Sequence, residues 1–216
     1  EWCNLENTEW YPGDWQERAP YFILAGAKKS GTTSVFKYLS SHPNLQPARK
    51  KELLLFLPQN FNHLDESGKT LVQETREDLH EHYFNTNRLQ TNDSLLGFEA
   101  TPGYLFKSTT SPKYILCTCP WVKILLILRN PVERAWSNYN FLLEHVKLRS
   151  FEVWVKSDID HLKRSGMLRD VGFASASDEY AAWNEYLENV QEGPVGRGMY
   201  AIQLQHWYDA MKAVGR

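Results

Sequence analysis

The stretch Tyr21-Phe-Ile-Leu-Ala-Gly-Ala-Lys-Lys-Ser-Gly-Thr-Thr33 constrains this chain more than any other. Tyr21 to Leu24 is a short apolar run with β-branched and aromatic members, the pattern of a buried strand. Gly26 and Gly31 bound a turn, and a helical pattern follows it. Strand, glycine-bounded loop and helix N-terminus, in that order, make an anion site: loop N–H groups converge there and the helix dipole favours negative charge. The spacing Gly26-x4-Gly31-x-Thr33 is that of the phosphate loop G-x-x-x-x-G-K-[ST]. The lysine position of that motif holds Thr32, and the nearest lysine, Lys29, lies inside the loop. The stretch describes a phosphate cradle whose cation has moved.

The remaining chain supplies a frame for that loop. Thr33 to Ser41 reads as a helix with Val35, Tyr38 and Leu39 on one face, ended by Pro43. Arg49 to Phe56 reads as a loop leading into a short strand, and Lys69 to Phe84 as an amphipathic helix with Val72, Leu79 and Tyr83 in phase. Leu95 to Glu99 is a second short apolar strand. Val122 to Leu128 is the strongest strand pattern and is expected to be buried on both faces. Arg129-Asn-Pro131 ends it and opens a helix to about Val146, with Val132, Ala135, Trp136, Tyr139, Leu143 and Val146 on one face. Further helices are expected over 151–164, 178–191 and 199–213. Strands alternating with helices imply an α/β fold with a short parallel sheet.

At 216 residues the chain can bury one sizeable core, so one domain is expected over 21–216, with residues 1–20 an arm packed on it. A net charge of −2 excludes a broadly basic nucleic-acid binder, so any anion site is local. The three cysteines make neither a disulfide framework nor a zinc set; a bridge from Cys3 to Cys117 or to Cys119, or three free thiols, are all allowed. No apolar run approaches the ~20 residues that span a bilayer, and an anchor upstream of Glu1 stays open. Asn92-Asp93-Ser94 is a glycosylation sequon.

Ligands of open α/β sheets bind outside the carboxyl ends of the strands. The expected strand ends carry Lys28, Lys29 and Ser30, then Glu99, then Arg129. Cations beside a phosphate loop suit a ligand with two separated anionic groups. A kinase needs a lysine after the second glycine and a strand-end carboxylate for Mg²⁺. Thr32 fails the first requirement, and Glu99 partly meets the second.

Lys29-Ser-Gly-Thr-Thr33 resembles the 5′-phosphosulfate loop of sulfotransferases that use 3′-phosphoadenylyl sulfate (PAPS). Arg129-Asn-Pro-Val-Glu-Arg-Ala-Trp-Ser137 resembles their 3′-phosphate motif, an arginine at a strand end and a serine eight residues later. The resemblance covers about 21–212, since Gly198-Met-Tyr200 with Leu204 and Trp207 is similar to a helix that follows this motif in the family. Lys51-Glu52-Leu-Leu-Leu-Phe56 resembles the Lys-Glu-x-His-Phe-Phe segment of the Golgi-type carbohydrate (glycosaminoglycan) branch, which includes the heparan sulfate and N-acetylgalactosamine 4-sulfate enzymes. Leu54 stands where that branch often has His, and Ala100 where heparan-type enzymes have Lys. Those positions touch the acceptor, so the resemblance assigns the donor more narrowly than the acceptor.

The resemblance implies a P-loop NTPase-like three-layer fold, a short central parallel sheet flanked by helices. It implies that Lys29 stabilises the leaving nucleotide while Ser30, Gly31, Thr32, Thr33 and Ser34 cradle the 5′-phosphate. Arg129 and Ser137 hold the 3′-phosphate, and Glu52 is the general base. The donor leaves as adenosine 3′,5′-bisphosphate and no metal takes part. The acceptor is a carbohydrate, typically a polysaccharide, in the Golgi lumen, with no nucleic acid and with membrane attachment only through an upstream anchor. The family also continues past the point where this chain stops, so its C-terminal part is expected to be missing. A P-loop kinase with a displaced lysine and a non-catalytic glycan-binding module are the alternatives.

Overall fold

The structure is a computed structural model and describes residues 18–58, 69–145 and 150–215. Most of the expected N-terminal arm, with Cys3, and Val146 lie outside the described residues. The chain divides into two compact units, one from the part up to Leu128 together with Gln203–Arg216, the other from Arg129–Ile202.

The first unit holds a four-stranded sheet of β1 (Phe22–Gly26), β2 (Leu45–Pro47), β3 (Leu96–Ala100) and β4 (Lys123–Leu126) in the order β2-β3-β1-β4. Every pairing is parallel, with Phe22 opposite Phe98 on one side and Lys123 on the other. Parallel neighbours require crossovers, and α1 (Thr32–Ser40), α2 (Lys69–Asp78), α3 (Thr86–Thr91) and α4 (Ser111–Thr118) lie between the strands in the chain. Phe22 stacks on Phe98 with ring centroids 5.0 Å apart, and Phe36 of α1 meets the same ring at 5.4 Å. Ile23, Leu24, Phe98, Ile115 and Leu116 are fully buried, each worth about 1.5–3 kcal/mol of transfer free energy.

The second unit is helical: α5 (Pro131–Leu143), α6 (Phe151–Arg164) and α7 (Ala176–Asn189), with α8 (Tyr200–Ala213) beginning in it. Its interior is organised by a buried carboxylate. Asp158 accepts hydrogen bonds from the Tyr186 hydroxyl at 2.7 Å and from the Val195 and Gly196 N–H groups at 2.8 and 3.1 Å. Three donors make that burial affordable, where an unpaired carboxylate would cost several kcal/mol. The Arg134 guanidinium is also fully buried and donates to the Pro194 carbonyl; burial, then Arg197, lowers its pKa to about 10.

Four sequence readings need correction. The Leu-Leu-Leu-Phe56 run is not a strand: Glu52 and Leu54 both have φ of 62°, which no extended chain accommodates. The unexpected β2 instead lies just after Pro43. Val122–Leu128 is not buried on both faces. Only Lys123–Leu126 is strand, paired with β1 alone among the described residues, and Leu125 and Leu128 stay 38% and 44% exposed. The apolar run met the criterion for a central strand, but the strand order puts it at an edge. The stripe on α5 faces inward only in part: Ala135 is buried, but Val132 and Trp136 are 70% and 52% exposed, and the polar Arg134 and Asn138 are buried in their stead. Asn138 donates to Glu192, so a polar network rather than an apolar one chose the inner face. Finally, Tyr38 does not join Val35 and Leu39 against the sheet but is 75% exposed.

Candidate active site

The loop after β1 is held at its base by the sheet. Ala27 N–H donates to the Ile127 carbonyl and Ile127 N–H to that of Gly26, both at 2.8 Å. Glycine is required at position 26, because an added Cβ would lie 2.5 Å from Leu105 Cβ. Leu105 approaches this closely because its N–H donates to the Ala25 carbonyl at 2.8 Å. The loop then takes left-handed geometry at Lys29 (φ 69°) and at Gly31 (φ 89°), the residue that caps α1.

The Gly31 carbonyl accepts from the N–H groups of Ser34 and Val35, at 3.0 and 3.1 Å. The N–H groups of Gly31, Thr32 and Thr33 have no backbone acceptor among the described residues, as expected for a helix start. No side chain caps the terminus and its first turn holds no acidic residue, so nothing on α1 offsets the positive end of the dipole. Around it, Thr32 is buried at 5% exposure, while Thr33 and Ser34 are open to solvent. The Ser30 hydroxyl is buried and has no hydrogen-bond partner among the described residues. A buried hydroxyl left without a partner costs about 1–3 kcal/mol. Open space lies beside Gly31, where an added Cβ would meet nothing within 4 Å.

Glu52 is positioned by the C-terminal end of β3. Its N–H donates to the Ala100 carbonyl at 3.1 Å, and Ala100 is the register partner of Leu24 on β1. The Glu52 loop, which follows β2, is thus anchored on β3, the strand beside β1, at the end of the sheet from which the Lys29 loop leaves. The Glu52 side chain is half-exposed and receives a 2.7 Å hydrogen bond from the Lys51 ammonium.

Beneath Glu52 lies a group of residues that sequence reasoning did not assemble. Glu99 is completely buried; one carboxyl oxygen accepts from Leu53 N–H at 3.3 Å and from the Thr101 hydroxyl, while the other has no partner among the described residues. Thr101 Oγ1 accepts from Leu54 N–H at 3.3 Å, and the Tyr104 hydroxyl from Phe56 N–H at 3.4 Å. Burial, above all, pushes the Glu99 carboxyl up to about 8. As a metal-binding acid for a kinase Glu99 is misplaced, since it faces the underside of the 52–56 loop. The signal was the run Glu99-Ala-Thr101-Pro-Gly-Tyr104, three polar side chains at a strand end opposite a loop with too few backbone partners of its own.

The second unit holds the other predicted pair. Asn130 caps α5 by accepting from Val132 and Glu133 N–H at 3.0 and 3.3 Å, and Pro131 occupies the first turn, where it lacks nothing. Arg129, just before the cap, pairs with Glu133 at 3.2 Å, and both are exposed. Ser137 is half-buried one turn beyond Glu133, so spacing puts Glu133 and Ser137 on one side of the helix.

A model of the sulfotransferase domain matches residues 19–214. The chain belongs to the sulfotransferase domain family. Among curated relatives it is 34% identical over 128 residues to the membrane-associated sulfotransferase kil1 of Dictyostelium discoideum, covering 59% of this chain and 24% of that protein. It is 25% identical over 202 residues to the human bifunctional heparan sulfate N-deacetylase/N-sulfotransferase 1, covering 91% of this chain and 19% of that one. It is 27% identical over 127 residues to human heparan sulfate glucosamine 3-O-sulfotransferase 6, covering 59% and 32%. The chain thus spans about a fifth to a third of the length of these relatives. A sulfotransferase crystal structure from Alicyclobacillus acidocaldarius shares the fold, with a TM-score of 0.56 at 24% identity over 89% of this chain and 69% of that one. The sulfotransferase fold and the four-stranded parallel sheet agree with the α/β, P-loop-like architecture read from the sequence.

Proposed function

We propose that this chain transfers a sulfuryl group from PAPS to a hydroxyl of a carbohydrate acceptor. The observation that carries the donor reading is the buried Ser30 hydroxyl, without a hydrogen-bond partner among the described residues, in a loop whose following helix has an uncapped N-terminus. Gly31 to Ser34 extend that cradle, whose N–H and hydroxyl groups fit a phosphate. Lys29 sits within the loop instead of after it, where its ammonium offsets charge developing on the nucleotide's bridging oxygen. Arg129 and Ser137 take the 3′-phosphate, as the family resemblance assigns them.

In this reading the acceptor oxygen forms a bond to sulfur as the bond from sulfur to the nucleotide oxygen breaks. Glu52 takes the hydroxyl proton, general-base help worth ~10²–10⁴-fold. The products are a sulfate ester and adenosine 3′,5′-bisphosphate. The heparan sulfate enzymes among the relatives favour a glycosaminoglycan-like polysaccharide as acceptor, and the resemblance to the Golgi-type carbohydrate branch favours the Golgi lumen as the compartment. An oxidising compartment fits the state of the described thiols: Cys117 is in a disulfide while Cys119 is free.

Calorimetric titration with adenosine 3′,5′-bisphosphate against ATP tests the donor site; tight bisphosphate binding with no ATP response is expected. Transfer of labelled sulfate from PAPS across a glycan panel tests the reaction. Glycan binding without any transfer would make the chain a non-catalytic binding module.

A further inference from the structure

We propose that Glu99 is the positioning residue for Glu52, acting through the backbone of the loop that carries it; this rests on the reading of Glu52 as the base. The 52–56 loop needs an outside restraint. Two of its five residues, Glu52 and Leu54, hold φ of 62°, a left-handed region that is strained for any residue with a Cβ. Left alone, the loop would relax toward ordinary backbone and re-aim the Glu52 side chain.

The restraint comes from one short segment at the end of β3. The Ala100 carbonyl takes Glu52 N–H, Glu99 takes Leu53 N–H, Thr101 takes Leu54 N–H and Tyr104 takes Phe56 N–H. Ser111 adds a hydrogen bond from its hydroxyl to the Phe56 carbonyl at 2.8 Å. Glu99 is central to this set, because the same carboxyl oxygen receives the Thr101 hydroxyl and so fixes the lone pair that Thr101 offers to Leu54. Fully buried, Glu99 does not reach an acceptor sugar, so its influence runs through the loop. The charged and titratable groups that face it are Glu52 and Lys51 on the loop and Tyr104 on its own segment.

A carboxyl held under the loop for its acceptor oxygen is replaceable by an amide of the same shape, and not by a methyl group. The test uses the full chain, labelled PAPS and desulfated heparan sulfate as acceptor. Glu99→Ala is expected to lower kcat about 10- to 100-fold, with KM for PAPS and the bisphosphate Kd within about threefold of the parent. Glu99→Gln is expected to restore kcat to within about threefold. In a Glu52→Gln background, Glu99→Ala should cost nothing further, since a residue acting through Glu52 has nothing left to aim. If Glu99→Ala does not fold, Thr101→Val, which removes the acceptor of Leu54 N–H while filling its space, should show the same kcat loss and the same non-additivity. Wild-type kcat in Glu99→Ala or Thr101→Val, or a full additive loss on top of Glu52→Gln, overturns the proposal while leaving Glu52 as base. Wild-type kcat in Glu52→Gln, or no transfer by the parent chain, overturns the base reading itself and this proposal with it.

Discussion

Glu99→Gln also separates stability from catalysis through pH. The Glu99 carboxyl is pushed up to about 8 in the folded chain, against 4.5 for an unperturbed carboxyl, with burial as the main cause. Between those values the folded protein keeps the proton and the unfolded chain has lost it. Stability therefore falls as pH rises, by about 1.4 kcal/mol per pH unit from this group alone. Over the whole window the loss is at most about 5 kcal/mol, comparable with the total stability of a marginal domain. Glutamine mimics the protonated carboxyl and cannot ionise. In urea melts at pH 5 and pH 8, the variant should match the parent within about 1 kcal/mol at the lower pH and exceed it by about 2–5 kcal/mol at the higher. A parent–variant gap that is the same at both pH values would refute the argument that Glu99 is buried as a neutral acid.

Further outcomes follow from neighbouring features. Glu133→Gln removes the carboxylate that pairs with Arg129, an exposed interaction of the kind worth about 0.2–1 kcal/mol, so titration should show adenosine 3′,5′-bisphosphate binding about 1.5- to 5-fold tighter; weaker binding would argue that Glu133 orients the arginine instead. Gly26→Ala should lower stability by at least the 1–3 kcal/mol typical of overpacking, whereas Gly31→Ala meets open space and costs only the roughly 1–2 kcal/mol of its left-handed backbone; equal melting temperatures for the two would contradict the packing around Leu105. Cys119, buried and with its thiol pushed up to about 12, should resist maleimide in the native protein and label on unfolding, and non-reducing peptide mapping should recover Cys117 in a disulfide-linked peptide.

The parts of this molecule that were legible in its sequence depend on local chemistry. The loop from Gly26 to Thr33 announces itself because strand, glycine spacing and helix start are contiguous, and the structure puts β1 and α1 within two residues of the expected bounds. Asn130-Pro131 marked the start of α5 for the same reason. What periodicity could not supply is which side of an element meets the rest of the protein. Val132, Trp136 and Leu143 form a fair apolar stripe, yet Arg134 and Asn138 took the interior because Pro194 and Glu192, some sixty residues away, offer them acceptors. The edge position of β4 is likewise a property of strand order, which no single segment encodes. The clamp under Glu52 was hidden for a third reason: its members lie about 47 residues from the loop they hold, and they bond to its backbone, which carries no sequence signature.

Thr32 occupies the place where a nucleoside-triphosphate-cleaving loop keeps its lysine, and it is almost wholly enclosed. A lysine introduced there would have to bring an ammonium group into a space shaped for a hydroxyl and a methyl, at a desolvation cost of several kcal/mol. Lys29, meanwhile, would remain inside the loop at a backbone angle set by its neighbours. The two kinds of loop share a spacing and differ in where the cation is held: here it enters before the second glycine, and the place after that glycine is already filled.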